Sequence, residues 1–178
     1  SICLRRTAGR AAGVVSSLPL GGLNNTGGVI VYEKPDGTLA QESVGFRAAS
    51  AGYFAALGIP VRRGTLYTDT AGDIDQIVIN ERAARALWGD ADPIGRRVRF
   101  GYLTDPVIQP WLTVAAVVGD VRHEGLTRDP NPEVFRPYLA NPRSTMMVVA
   151  RTSGDPGRLV EPARRIVRDA DPALAVVN

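Results

Sequence analysis

At 178 residues, 44% of them hydrophobic, the chain is long enough for one globular domain, or two small lobes, with a buried core and no covalent staples. Its net charge of +3 comes almost wholly from arginine, Lys34 being the sole lysine, and these cations are scattered from Arg5 to Arg168 among acids. That excludes the concentrated basic patch of a nucleic-acid binder, while one cysteine, Cys3, and one histidine, His123, exclude a disulfide framework and a multi-ligand thiolate or imidazole metal site.

In chain order, residues 1–10 read as the tail of a helix and Val14 to Leu18 as a strand stopped by Pro19. The polar, glycine-rich run from Gly21 to Gly28 reads as a loop. β-Branched residues from Val29 to Tyr32, the turn signal Pro35-Asp36-Gly37 and a returning run from Leu39 to Ala48 predict a hairpin. Ser50 is placed to cap a short helix carrying Tyr53, Phe54 and Leu57 on one side, with Gly58 at its end and Pro60 preventing continuation. Val61 to Arg63 is a brief extended piece ending at Gly64.

Ile77 to Ile79 predicts a strand feeding Asn80, an N-cap for a helix from Glu81 to Trp88 that buries Ala83, Ala84, Leu87 and Trp88 and stops at Gly89. Asp92 to Gly95 is a turn, and Arg97 to Phe100 alternates like a half-buried strand. Trp111 to Val118, Glu133 to Tyr138 and Met146 to Arg151 are further strands. The last helix is capped by Asp155 with Pro156 in its first turn. It carries Leu159, Val160, Ala163, Ile166, Val167 and Ala170 on one stripe, and Pro162 argues for a kink or a late start. Such a stripe should be covered by a small sheet. Strands and helices mixed without strict βαβ alternation give an α+β fold.

The longest uncharged, strongly apolar run, Leu112 to Gly119, falls far short of the roughly 20 residues of a membrane-spanning helix. The chain begins at Ser1 without a charged and then apolar leader. It is therefore expected to be soluble as it stands, with both ends cut from something longer.

No constellation of residues supports catalysis. His123 has no metal-ligating or catalytic companions at useful spacing, and Ser16-Ser17 lacks a nucleophile elbow. The loop before Val29 lacks the lysine of a phosphate-binding loop, and Asp69, Asp73 and Asp75 miss the calcium-loop spacing, so they read as a solvated acidic loop. Asn24-Asn25-Thr26 matches the glycosylation sequon, a pattern common by chance. Tyr53, Phe54 and Trp88 read as core anchors, and Trp111 as core or interface.

Four ordered segments carry a resemblance. They are Ala49-Ser50-Ala51-Gly52-Tyr53-Phe54-Ala55-Ala56-Leu57-Gly58-Ile59-Pro60 with Arg63-Gly64; Val78-Ile79-Asn80-Glu81 with Leu87-Trp88 and Asp92-Pro93-Ile94-Gly95-Arg96; Val117-Val118-Gly119-Asp120-Val121-Arg122-His123 with Pro132-Glu133-Val134-Phe135; and Val148-Val149-Ala150-Arg151-Thr152 with Gly154-Asp155-Pro156. Together with Val15 to Leu20 they resemble the MacB-like periplasmic core domain of FtsX-type ABC-transporter permeases. Ala51, Ala116 and Phe135 depart from the usual residues.

The resemblance implies a non-enzymatic extracytoplasmic domain between two transmembrane helices of a permease in the bacterial inner membrane. It implies two lobes: a Porter-like α+β lobe from residues 1–58 and 141–178, and an inserted strand-rich, Sabre-like lobe from 59–140. The implied role is mechanotransmission of cytoplasmic ATP hydrolysis, for export or partner regulation, with no cofactor. The implied partners are the permease's own helices, a cytoplasmic ABC ATPase subunit or domain, and a membrane-fusion adaptor or another extracytoplasmic protein. Tyr53, Phe54 and Leu57 are expected to anchor the junction between the lobes, with Trp88 and Trp111 as further structural or interaction residues. The alternative is a stand-alone ligand- or peptide-binding domain.

Overall fold

The computed structural model describes residues 9–19, 26–121, 129–171 and 173. Nine strands are described: β1 (Gly9–Val15), β2 (Thr26–Glu33), β3 (Leu39–Ala49), β4 (Val61–Gly64), β5 (Gln76–Asn80), β6 (Arg97–Phe100), β7 (Leu112–Val118), β8 (Glu133–Pro137) and β9 (Met147–Thr152). The helices are α1 (Ala51–Leu57), α2 (Glu81–Trp88) and α3 (Val160–Ala170). Helices and a large mixed sheet make an α+β fold, as the unalternated pattern predicts.

All nine strands belong to one sheet, in the order β2-β6-β7-β5-β8-β3-β1-β9, with β4 paired on β7. β2 also pairs with β3, so β3, β2, β6, β7, β5 and β8 pair around a closed circuit. β3 makes this possible by its length. Its first part pairs with β2 from Leu39 opposite Glu33 to Phe46 opposite Thr26. Its last part, Gly45 to Ala49, runs parallel to β8. Within the circuit no strand edge is left free, while β9 remains an edge of the sheet beyond it.

Alternation along the strands puts a core on each face. Ile77 and Ile79 of β5, Val134 of β8, Val98 of β6 and Leu112 and Val114 of β7 join Ile30, Tyr32 and Val44, capped by Ala83, Leu87 and Trp88 of α2. Val78, Phe135, Ala116 and Val118 point the other way and join Val15, Ala49, Tyr53, Phe54 and Tyr67. A bulge shifts the pairing so that Ile77 faces Val114 but Val78 faces Ala116. The extra residue, Ala115, turns its carbonyl to the Thr65 N–H.

This corrects one expectation. Ile77, Val98, Val114 and Val134 do share a core, but not a separate one: Ile30, Tyr32 and Val44, from outside residues 59–140, complete it. β3 carries the first segment directly into the central strands by main-chain hydrogen bonds. The sequence pattern gives the facing of each strand but not its neighbour, which is why one sheet was legible as two.

The two chain segments do meet at the sheet edge, where β1 runs antiparallel to β9 from Gly9 opposite Thr152 to Val15 opposite Met147. Gly9 and Arg10 are already strand rather than helix tail, and the strand begins earlier than Val14. Thr26, Gly27 and Gly28, expected in a loop, open β2. Cys3, His123, Asn24, Asn25 and residues 20–25 of the glycine-rich run lie outside the described residues.

The last helix starts late. Asp155 accepts from the Gly157 N–H, Pro156 to Leu159 form a 3-10 turn, and α3 proper begins at Val160 with Pro162 in its first turn. A proline ring there costs no intrahelical hydrogen bond. The expected stripe, Leu159, Ile166 and Val167, is half-covered while Glu161, Arg165, Arg168 and Asp169 are exposed, and no residue of α3 is buried. Amphipathic spacing says which side of a helix is apolar, not what lies beside it.

Candidate functional site

The residues singled out in the sequence gather mainly around α1. Asn80, Gly58 and Asp155 cap as expected, but Ser50 does not. It stands at the N-cap position of α1 while its Oγ accepts from Val14 N–H on β1 at 2.9 Å. The first-turn N–H of Ala51 donates instead to the carboxylate of Asp69, at 3.0 Å to either oxygen. Asp69 reaches this position through a left-handed backbone, φ 59°. A carboxylate at a helix N-terminus is electrostatically favourable, so the acidic loop tethers α1. Asp73 of the same loop closes it on itself by accepting from the Thr68 N–H and from the hydroxyls of Thr68 and Thr70. These hydrogen bonds hold the Asp73 carboxyl below its usual range.

α1 lies directly on the β1 backbone. A Cβ on Gly13 would overlap the Tyr53 amide, and one on Gly52 the Ala12 carbonyl oxygen. This closeness seats Tyr53 and Phe54, both essentially unexposed, against Phe135 of β8, with Phe54 edge-on to it at 5.2 Å between centroids. Tyr67, absent from the sequence-based candidates, completes the cluster and donates from its hydroxyl to Ala49 O at 2.9 Å. Leu57 is 37% exposed and lies outside the cluster. The aromatic anchor therefore consists of Tyr53, Phe54, Tyr67 and Phe135.

Beside it lies a buried ion pair that the sequence did not reveal, Arg47 of β3 with Glu133 of β8, both nearly inaccessible. Burial raises the Tyr53 hydroxyl pKa; Arg47 opposes that shift and Glu133 adds to it. Burial likewise raises Tyr67 strongly, with smaller contributions from Asp69 and Tyr53. Asn80 ties this region together. Its Oδ1 accepts from Ala83 N–H, capping α2, and from Glu133 N–H, while its Nδ2 donates to Asn131 O, all at 2.9 Å.

Trp88 is buried in the other core, its Nε1 donating to Glu33 O and its ring edge-on to Tyr32. Trp111 is half-buried beneath Arg97 and Arg99, whose guanidinium carbons stand 5.6 and 5.8 Å from its ring centre. The structure does not bring Trp88 or Trp111 to the α1 cluster. Among the described residues no group of His, Cys, Asp or Glu is arranged to hold a metal ion, and no helix is long and apolar enough to cross a membrane.

The arrangement is thus that of a braced α+β body, in which an aromatic cluster, a buried ion pair and the Asn80 hydrogen bonds tie α1, α2 and β8 to the sheet. The MacB-like periplasmic core domain model matches residues 8–166, and the chain belongs to that family, the periplasmic domains of ABC-type transporter permeases. Three solved structures share the fold. The periplasmic region of MacB from Actinobacillus actinomycetemcomitans aligns with a TM-score of 0.59 at 16% identity, over 93% of this chain and 69% of that one. The extracellular domain of the noncanonic ABC-type transporter YknZ from Gram-positive bacteria gives 0.56 at 13%, over 97% and 83%. A domain of a putative permease from Porphyromonas gingivalis gives 0.57 at 15%, over 92% and 70%. No curated protein matches the chain.

Proposed function

We propose that this domain is a mechanical element on the extracytoplasmic face of a bacterial ABC-transporter permease, moved as one body by the membrane helices flanking it when a cytoplasmic ATPase cycles. The observation that carries this reading is the placing of the two tethers. The first described strand, β1, and the last, β9, are hydrogen-bonded neighbours, with Gly9 opposite Thr152. A membrane helix joined before β1 and another joined beyond α3, which follows β9, would both act near this one edge of the sheet. The expected partners are those helices, the ATPase, and an adaptor or other extracytoplasmic protein that receives the motion. The domain itself carries no chemistry in this role.

The division at residues 59 and 140 enters the proposal in amended form. Any relative movement of the two segments must be taken up inside a common sheet, as a change of twist, because β3 is bonded to both β2 and β8.

The test uses the full-length permease with its ATPase in lipid nanodiscs, with Cys3 replaced and spin labels placed at exposed Ile108 and Val148. Nucleotide binding should change the distance of the Ile108 label from the lipid headgroups, while the Ile108–Val148 distance stays within about 2 Å. Labels that keep their distance from the membrane in every nucleotide state refute transmission. A larger change between the two labels restores moving lobes.

A further inference from the structure

A cavity of about 650 Å³ opens beside the closed circuit of strands, a size suited to a small organic ligand. Its walls include Gly27 and Gly28 of β2, Phe46 of β3, Phe100 of β6, Arg136 of β8 and, beyond it, Arg143. Phe46 and Phe100 meet edge to face at 5.0 Å. Each ring carries one guanidinium: Arg143 stands 5.4 Å from the centre of Phe46, and Arg136 5.8 Å from that of Phe100. Two consecutive glycines inside a strand leave the space in front of the rings open. A Cβ on Gly28 would already touch Phe100 at 3.7 Å, so any larger residue would fill it.

Among the described residues the cavity carries two guanidiniums, Arg136 and Arg143, against one carboxylate, Asp105, an excess of positive charge. Neither arginine is ion-paired with a described carboxylate. The buried Nε of Arg136 has no hydrogen-bond partner among the described residues, and its Nη2 reaches only Ile74 O, at a long 3.5 Å. The acid on the rim, Asp105, accepts from the Tyr102 N–H in its own turn. Arg136 is cation-bearing, half-buried and partly desolvated, which depresses its pKa. Such a group gains from an anion brought to it.

We infer that this cavity binds an amphiphilic oxyanion, its carboxylate or phosphate head between Arg136 and Arg143 and its apolar body against Phe46 and Phe100. Arginine forks match both head types, and the rings supply apolar area that a free inorganic ion does not use. The inference does not depend on the transporter reading, because binding is a property of the chain itself; either can fail while the other stands.

The experiment titrates the 178-residue chain by calorimetry with monomeric dodecanoate, dodecyl phosphate and dodecanol. One anion or both should saturate at one site, the tighter of the two identifying the head preferred, and dodecanol should bind at least about tenfold more weakly. Arg143→Gln, at an exposed position that leaves the fold intact, and Arg136→Gln should each weaken the anion about tenfold. Gly28→Val should abolish binding while keeping the urea midpoint of the unsubstituted chain. Absence of saturation by both anions overturns the inference. So does dodecanol binding as tightly as dodecanoate, or full affinity in Arg143→Gln.

Discussion

Replacing Phe54 by alanine probes the aromatic anchor directly. Phe54 is 1% exposed and meets three rings, Tyr53 at 5.4 Å, Phe135 at 5.2 Å and Tyr67 at 6.5 Å between centroids. Losing the buried ring forfeits about 2 kcal/mol of transfer free energy. A residual cavity of about 60 Å³ adds about 1.5 kcal/mol at roughly 24 cal/mol per Å³. Collapse is resisted because Phe135 is fixed in the sheet and Tyr67 is tied to Ala49 O, so the total falls within the roughly 3–5 kcal/mol range for such truncations. Leu57→Ala, three residues on in the same helix but 37% exposed, should cost less than about 1 kcal/mol. Urea unfolding followed by circular dichroism reads both, as midpoint shifts at constant slope. A Phe54→Ala loss below about 1 kcal/mol, or equal losses for the two variants, would refute the packing argument.

Asn80→Ala should cost about 2–3 kcal/mol by the same urea assay, since it removes the α2 cap and strands the buried Glu133 N–H; Asn80→Asp keeps both accepted bonds but sets a buried carboxylate against Asn131 O and beside Glu133, and should not recover the loss. Arg47→Met should destabilise by about 3–5 kcal/mol by leaving Glu133 buried without its cation, and the Arg47→Met/Glu133→Met double variant should regain much of that loss; a strictly additive double variant contradicts the pairing. The tyrosine prediction has a definite sign. The folded-state pKa values of Tyr53 and Tyr67 are raised, so their protonated forms contribute stability that is present below the unfolded value of about 10 and is lost as pH rises through the folded values. Absorbance at alkaline pH should show these two tyrosinates appearing only with loss of far-ultraviolet dichroism, and ionisation in a still-folded chain would contradict their burial.

Local chemistry was legible in the sequence where it is set by neighbours along the chain. The turn at Pro35-Asp36-Gly37, the αL glycine after α1 and the Asn80 cap all appear where residue type and spacing place them. Strand faces were legible too, as in β5, whose Ile77, Val78 and Ile79 alternate between the two cores. What was hidden depends on residues far apart in the chain. Asp69 caps α1 from a loop 18 positions away, and Arg47 meets Glu133 across 86. An arginine in Gly45-Phe46-Arg47-Ala48 looks like an outward-facing strand residue until β8 is known to lie beside it. The cavity is likewise assembled from β2, β3, β6 and β8, so neither of its arginines carries a local signal.

The closed circuit of strands bears on how such a domain can transmit force. A hinge between lobes would need a region crossed by few bonds, and the route from the β9 edge through β1, β3, β2 and β6 has one such step: β1 pairs with β3 only at Val15 opposite Ala49, flanked by the bonds from Ser16 N–H to Ala48 O and from Ser50 N–H to Val14 O. Four strand spacings of about 4.8 Å carry that route roughly 19 Å from the edge to the segment following β6. That segment exposes Val107 and Ile108 at 67% and 71%. Side chains brace the circuit beside this route: the Arg47–Glu133 pair joins β3 to β8, and Phe135 of β8 packs against Phe54 of α1. On the mechanical reading proposed above, a displacement imposed on the β1–β9 edge would reach the closed circuit through that narrow β1–β3 step and through α1, seated on β1 and packed against Phe135, so loosening the α1 contact should weaken the coupling first.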